Sequence, residues 1–181
     1  ETVKQKIIIP TLAGLKAEGI LYRGFLFLGI MKVGNQPYML EYNVRMGDPE
    51  TQSVFPRIQS DVVHFLAAIA NGTLGQYELL ISTQAAATVI CASGGYPDTF
   101  GTGFPVSLPE SIPANTLLFH AGTKQNADGE LVTAGGRVLA VTTLAENLED
   151  AIRQSVEVAS QIEFEGKYFR NDIGYEFLNK A

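Results

Sequence analysis

The chain has 181 residues, 13 Lys and Arg against 19 Asp and Glu, a net charge of −6 and a pI of about 4.9. Hydrophobic residues make up 46% and charged residues 18%, which suits one large or two small folded domains and excludes disorder as the main state. No apolar run approaches the ~18 residues of a spanning helix, the acidic balance argues against nucleic acid as a partner, and the one cysteine, Cys91, excludes an internal disulfide and fits a reducing, cytoplasmic compartment.

Residues 2–18 read as a helix, with Val3, Ile7, Leu12 and Leu15 at roughly helical spacing, Pro10 as a kink or restart and Gly19 as the stop. Tyr22 to Val33 reads as a strand, Gly34-Asn35 as a turn and Gln36 to Val44 as the returning strand of a hairpin. Ser60 is placed to cap a helix running to Asn71 and ended by Gly72. Ala85 to Ala92 is an apolar strand closed by Gly94-Gly95-Tyr96-Pro97, and residues 94–113 are loop and short strand. Thr116 to Ala121 is a further strand, Asp128-Gly129 a turn, and Leu131 to Thr143 a strand pair or one strand broken at Gly135-Gly136. Asn147 caps a helix from Leu148 to about Ile162, with Ala151, Ser155, Val158 and Ile162 on one face. The expected fold class is therefore α+β, with a first part over residues 1–83 and a second over residues 84–181.

Charge divides unevenly. Residues 1–57 carry seven Lys and Arg against five Asp and Glu, and the acidic excess lies in the remainder. The densest polar segment sits at the end of the slightly basic stretch, Leu40 through Gln52. On a strand, Glu41, Asn43 and Arg45 share one face, because side chains alternate with period two. A carboxylate and an amide oxygen suit a hard cation that also binds phosphate oxygens, and a guanidinium suits a phosphoryl group. The same spacing would equally serve the polar face of an edge strand, and Asp48 and Glu50, flanking Pro49, would equally serve a turn and a helix start. Gly94-Gly95 fits neither a Walker loop nor a dinucleotide fingerprint and reads first as a tight turn. His120 has no Ser or Cys nucleophile visibly paired with it and reads as structural or substrate-proximal, His64 reads as surface or packing, and Cys91 as a small buried hydrophobe.

Leu40 through Gln52 resembles the signature segment of the glycinamide ribonucleotide synthetase family of ATP-grasp ligases. The motifs Tyr22 through Gly29, Ala92-Ser93-Gly94-Gly95-Tyr96-Pro97, His120-Ala121-Gly122-Thr123, Gly135-Gly136-Arg137-Val138-Leu139 and Arg170-Asn171-Asp172-Ile173-Gly174 agree with it in order. The resemblance covers essentially the whole chain but only the carboxy-terminal part of such an enzyme. It implies the carboxy-terminal half of an ATP-grasp domain, an antiparallel sheet with helices, followed by a small mixed β domain with a packed helix. It implies an ATP-dependent carbon–nitrogen ligase of purine biosynthesis that joins glycine to 5-phosphoribosylamine through glycyl phosphate. Glu41 and Asn43 then match ligands of Mg2+ or Mn2+, and with Arg45 they form the nucleotide-binding set. Arg45 is the catalytic candidate at the transferred phosphate, and Asp48, Glu50, Gly94 and Gly95 are substrate-proximal candidates. Many ATP-grasp enzymes place a further acidic ligand on the preceding strand, and that place falls near Gly29 here.

The partners implied are ATP, glycine, 5-phosphoribosylamine and the missing amino-terminal domains of the same chain, with no membrane. Those domains are expected to cover an apolar surface that includes Ile8, Ile9 and Phe27, and the fragment alone is expected to be inactive. The alternatives are a non-catalytic α+β packing module, or the carboxy-terminal half of another ATP-grasp carboxylase or ligase.

Overall fold

A computed structural model describes residues 1–178. They form two compact units that interleave in sequence: residues 1–48 with 60–79, and residues 49–59 with the chain from Leu80 onward. The fold is α+β, and every strand pair is antiparallel.

The first unit opens with a π-helical turn, Lys4–Ile8, that runs into α1 (Ile9–Ala17). Pro10 has no N–H and its ring crowds the carbonyl four residues back, so the widened turn before it is the local answer to a proline inside a helix. Of the expected apolar face, Ile7 is buried, Val3 and Leu15 are half-buried and Leu12 is exposed, so that face holds only in part, while Ile8 and Ile9 are exposed. Strand β1 (Phe27–Val33) and strand β2 (Gln36–Asn43) form the predicted hairpin around Gly34-Asn35. The first strand is shorter than its composition suggests. Residues 22–26 lie outside the ladder, and Phe25 among them packs edge-on against Phe65, ring centroids 6.1 Å apart. Phe65 belongs to α3 (Val62–Asn71). The cap of that helix is Asp61, whose carboxylate accepts from the His64 N–H at 2.9 Å. Ser60, the expected cap, instead donates its hydroxyl to the Glu78 carbonyl at 3.2 Å. Gly72 ends the helix in the left-handed region, φ 71°.

The second unit is built on a three-stranded sheet in the order β3 (Ala85–Ala92), β7 (Arg137–Ala145), β4 (Thr116–His120). A small hairpin, β5 (Thr123–Gln125) with β6 (Leu131–Thr133), turns at Asp128-Gly129. Residues 131–143 are thus two strands separated at Gly135-Gly136. The central strand β7 is buried along nearly its whole length because both of its faces are covered. On one face lies α4 (Leu148–Gln161), capped by Asn147, which accepts from the Asp150 N–H at 2.8 Å. Its buried residues Ala151, Ser155 and Val158 follow the predicted stripe, and Ile162 is buried just beyond its end. On the other face, Ser53 of the short helix α2 (Glu50–Val54) meets Thr88 Oγ1 at 2.5 Å, and Thr88 meets Thr142 at 2.8 Å. These contacts tie residues 49–59 to the second unit. A last short helix, α5 (Tyr175–Leu178), follows.

Ser155 fastens α4 to the sheet. Its fully buried hydroxyl donates to the Ala87 carbonyl at 2.9 Å and accepts from the Thr143 N–H at 3.1 Å. Ser155→Ala leaves both backbone groups unpartnered by that hydroxyl, and a buried unsatisfied group costs about 1–3 kcal/mol. Urea unfolding should register a loss in that range with an unchanged m-value, and a melting profile identical to the parent's would exclude a fastening role.

Candidate functional site

The site grows out of the β1–β2 hairpin. Pairing runs Phe27 with Asn43, Leu28 with Tyr42 and Gly29 with Glu41, then slips so that Ile30 faces Met39. Leu40 is the extra residue of a β-bulge, which bends a strand and re-aims its side chains. Beyond the bulge, Glu41 and Asn43 share a face, and Asn43 Nδ2 donates to Glu41 Oε1 at 3.1 Å. Glu41 is exposed and Asn43 half-buried. Two oxygen-bearing side chains, side by side and open to solvent, can contribute one carboxylate and one amide oxygen to a hard cation. Among the described residues no group of three or more His, Cys, Asp and Glu could hold a metal ion. A cation at Glu41 and Asn43 would take its other ligands from phosphate and water, as magnesium commonly does.

Arg45 lies past the end of the strand expected to carry it. Strand β2 ends at Asn43, and Arg45 lies in the bend that follows, where its Nη1 donates to the Met46 carbonyl at 3.0 Å. The ladder to β1 stops at the Phe27–Asn43 pair, so Arg45 lies beyond the paired strand that holds Glu41 and Asn43. Asp48 lies in the turn at the end of the first unit, and Glu50 opens α2 in the second. Gly94 and Gly95 also belong to the second unit and are packed against main chain. A Cβ on Gly94 would come within 2.7 Å of the Gly166 carbonyl, and one on Gly95 within 2.2 Å of the Thr99 carbonyl.

The remaining candidates resolve more simply. Cys91 is fully buried, and burial pushes its thiol up to about 11, so it is not a ready nucleophile. His120 shares a 2.9 Å hydrogen bond with Thr123 at the surface. His64 sits exposed in the first turn of α3.

The second unit also holds a cleft that spacing along the chain does not reveal. This cleft, of about 270 Å3, is lined by aliphatic residues of β3 together with Tyr96, Arg137, Tyr168 and Arg170. Arg137 Nε donates to the Tyr96 hydroxyl at 3.1 Å, and the guanidinium lies 6.0 Å from that ring's centre. Arg170 makes a two-bond fork to Asp172 at 2.9 and 3.1 Å, which lowers the Asp172 carboxyl pKa. These residues come from three separate stretches of chain. The available signal was the pair of motifs Gly135-Gly136-Arg137 and Arg170-Asn171-Asp172, whose arginines spacing alone does not bring together.

Comparison with known proteins gives two family models in chain order. One, described as phosphoribosylglycinamide synthetase, ATP-grasp (A) domain, matches residues 1–51, and the other, phosphoribosylglycinamide synthetase, C domain, matches residues 86–176. A phosphoribosylamine–glycine ligase of Chlorobaculum tepidum is 44% identical over 97% of this chain and 42% of its own length. A bifunctional purine biosynthetic protein of Schizosaccharomyces pombe is 40% identical over 99% of this chain and 23% of its own. The crystal structure of a phosphoribosylamine–glycine ligase from Thermotoga maritima superposes with a TM-score of 0.78 at 39% identity, covering 94% of this chain and 42% of that one. The biotin carboxylase domain of a Hydrogenobacter thermophilus 2-oxoglutarate carboxylase shares the fold at 17% identity, with a TM-score of 0.59 over 93% of this chain and 38% of that one. The chain thus spans well under half the length of the relatives it matches.

Proposed function

This chain belongs to the phosphoribosylglycinamide synthetase family, and from that premise we propose that it is the carboxy-terminal portion of a phosphoribosylamine–glycine ligase. In the complete enzyme ATP phosphorylates the glycine carboxylate, giving glycyl phosphate and ADP. The amine of 5-phosphoribosylamine then attacks the acyl carbon, and phosphate leaves as glycinamide ribonucleotide forms. The observation that carries the reading is the Glu41–Asn43 pair on one strand face, inside a chain matched along its length by such ligases.

Within this reading Glu41 and Asn43 are the residues that would hold Mg2+ or Mn2+ beside the nucleotide. Such an ion, when bound, supplies neutralising charge there. Arg45 leaves its Met46 carbonyl contact to reach the transferred phosphoryl group, for which a planar guanidinium is suited. Asp48 and Glu50 are candidates to meet the amine, and Gly94 and Gly95 border the substrate. Arg137 and Arg170 supply cationic groups that suit the phosphate of phosphoribosylamine. The proposed border between the ATP-grasp part and the carboxy-terminal domain is at residues 83 and 84, within the stretch that neither family model matches. The compartment is the cytoplasm, to which the single free Cys91 is suited. No helix among the described residues is long and apolar enough to cross a membrane.

The first unit exposes Ile8, Ile9 and Leu12, with Phe27 half-buried. That surface is fitted to be covered by the amino-terminal part of the ligase. The nucleotide would then sit between this chain and the covering part, so the chain alone lacks a closed site. Assayed with ATP, glycine and 5-phosphoribosylamine, the complete protein should release ADP and form glycinamide ribonucleotide, whereas the 181-residue chain should do neither. Absence of product from the complete, folded protein would remove the assignment, and turnover by the chain alone would remove the need for the covering part.

A further inference from the structure

The glycine opposite Glu41 has no backbone reason to be there. Gly29 is not among the glycines with positive φ, so its conformation is open to any L-residue. Space is what requires it. A Cβ on Gly29 would come within 2.7 Å of Glu41 Cγ, closer than side chains tolerate, and within 3.5 Å of the Glu41 carbonyl oxygen. Cγ is the middle of the side chain, so Glu41 cannot yield by moving its tip; it would have to turn about its first torsions and carry the carboxylate away. The bulge at Leu40 sets this encounter, because it leaves Glu41 directly across from Gly29 while Ile30 faces Met39. With the glycine in place, Glu41 lies across β1 and its carboxylate stays 3.1 Å from Asn43.

We propose that Gly29 is a positioning residue, whose missing Cβ holds the Glu41 carboxylate beside Asn43. The inference rests on the reading of Glu41 and Asn43 as a metal–nucleotide pair. With Glu41 placed as it is in this chain, any side chain at position 29 would meet its Cγ.

The test uses the full-length protein with ADP and compares Gly29→Ala, Glu41→Ala and the double variant. Mn2+ binding is followed by electron paramagnetic resonance, folding by thermal melting, and the position of Glu41 by a crystal structure of Gly29→Ala. Gly29→Ala should weaken Mn2+ binding about 10–100-fold, the range seen when a group orienting a metal ligand is lost. In the Glu41→Ala background it should change nothing further, since no Cγ remains to be struck. The coordinates should show the Glu41 carboxylate moved away from Asn43. Unchanged Mn2+ binding in Gly29→Ala, or the same proportional loss in the Glu41→Ala background, would overturn the proposal. If Gly29→Ala fails to fold, the double variant decides: a folded double variant supports a clash specific to Glu41, and an unfolded one overturns it. If Glu41→Ala itself binds Mn2+ normally, the metal reading falls. The crystal structure then still decides the positioning role, for or against.

Discussion

If the proposed ligase activity holds, Glu41→Gln in the full-length protein is expected to reduce turnover on the order of 100-fold or more and to raise the magnesium concentration needed for half-maximal rate. Losing an outer group that orients a ligand costs about 10–100-fold, and losing the ligand itself should cost at least as much. The amide keeps the shape of the side chain and its contact with Asn43, so what is removed is the negative charge and one strongly basic oxygen. Stability should hardly change. Glu41 is exposed, its partner in the structure is a neutral amide, and surface substitutions away from buried networks stay within about 0.5 kcal/mol. Steady-state kinetics against magnesium, paired with a melting curve, separate the two effects. Wild-type turnover with an unaltered magnesium requirement would take the metal role away from Glu41.

The largest loss of stability should come from Leu139→Ala. Leu139 is fully buried in the central strand, paired with Cys91 on one side and His120 on the other, and it lies in the cluster that joins Val89, Val138, Val141, Val158 and Ile162. Truncation forfeits the transfer energy of the lost carbons and leaves a cavity that a covered sheet cannot close, for a total of about 2–5 kcal/mol. Leu117→Ala is the control: this residue is 41% exposed on the edge strand β4 and should cost much less. Equilibrium urea unfolding of both variants checks the contrast. Equal losses would mean that the central strand is not the part of the core on which the unit depends.

The legible parts of the chain share a physical reason. Where local chemistry and burial demand the same residues, a sequence pattern can be read directly. Asn147 followed by a helical stripe gives α4, because the cap and the apolar period agree. Ala85–Ala92 is apolar without alternation because β3 pairs with the central strand between two covering layers. The Gly34-Asn35 turn and the Glu41–Asn43 alternation likewise follow from local geometry, and the structure places both as expected. Other residues had two acceptable partners of similar strength. Ser60 and Asp61 are adjacent and both can cap a helix, and the choice fell to the residue whose neighbour was engaged elsewhere, at Glu78. Phe25 could have extended β1 but instead packs against Phe65.

The sequence by itself determined the α+β class, the family, the helices with strong caps and the strand that holds Glu41 and Asn43, because capping, period and turn chemistry act within a few residues. Only the tertiary structure decided which segments join which unit. Helix α2 sits beyond the hairpin in sequence yet belongs to the second unit through the Ser53–Thr88–Thr142 hydroxyl chain. It also decided that the strand ends at Asn43, before Arg45, and that Tyr96, Arg137 and Arg170 share one cleft. Most pointedly, it decided why position 29 carries no side chain. That reason is a distance between two strands, set by the bulge at Leu40, and no spacing within either strand contains it.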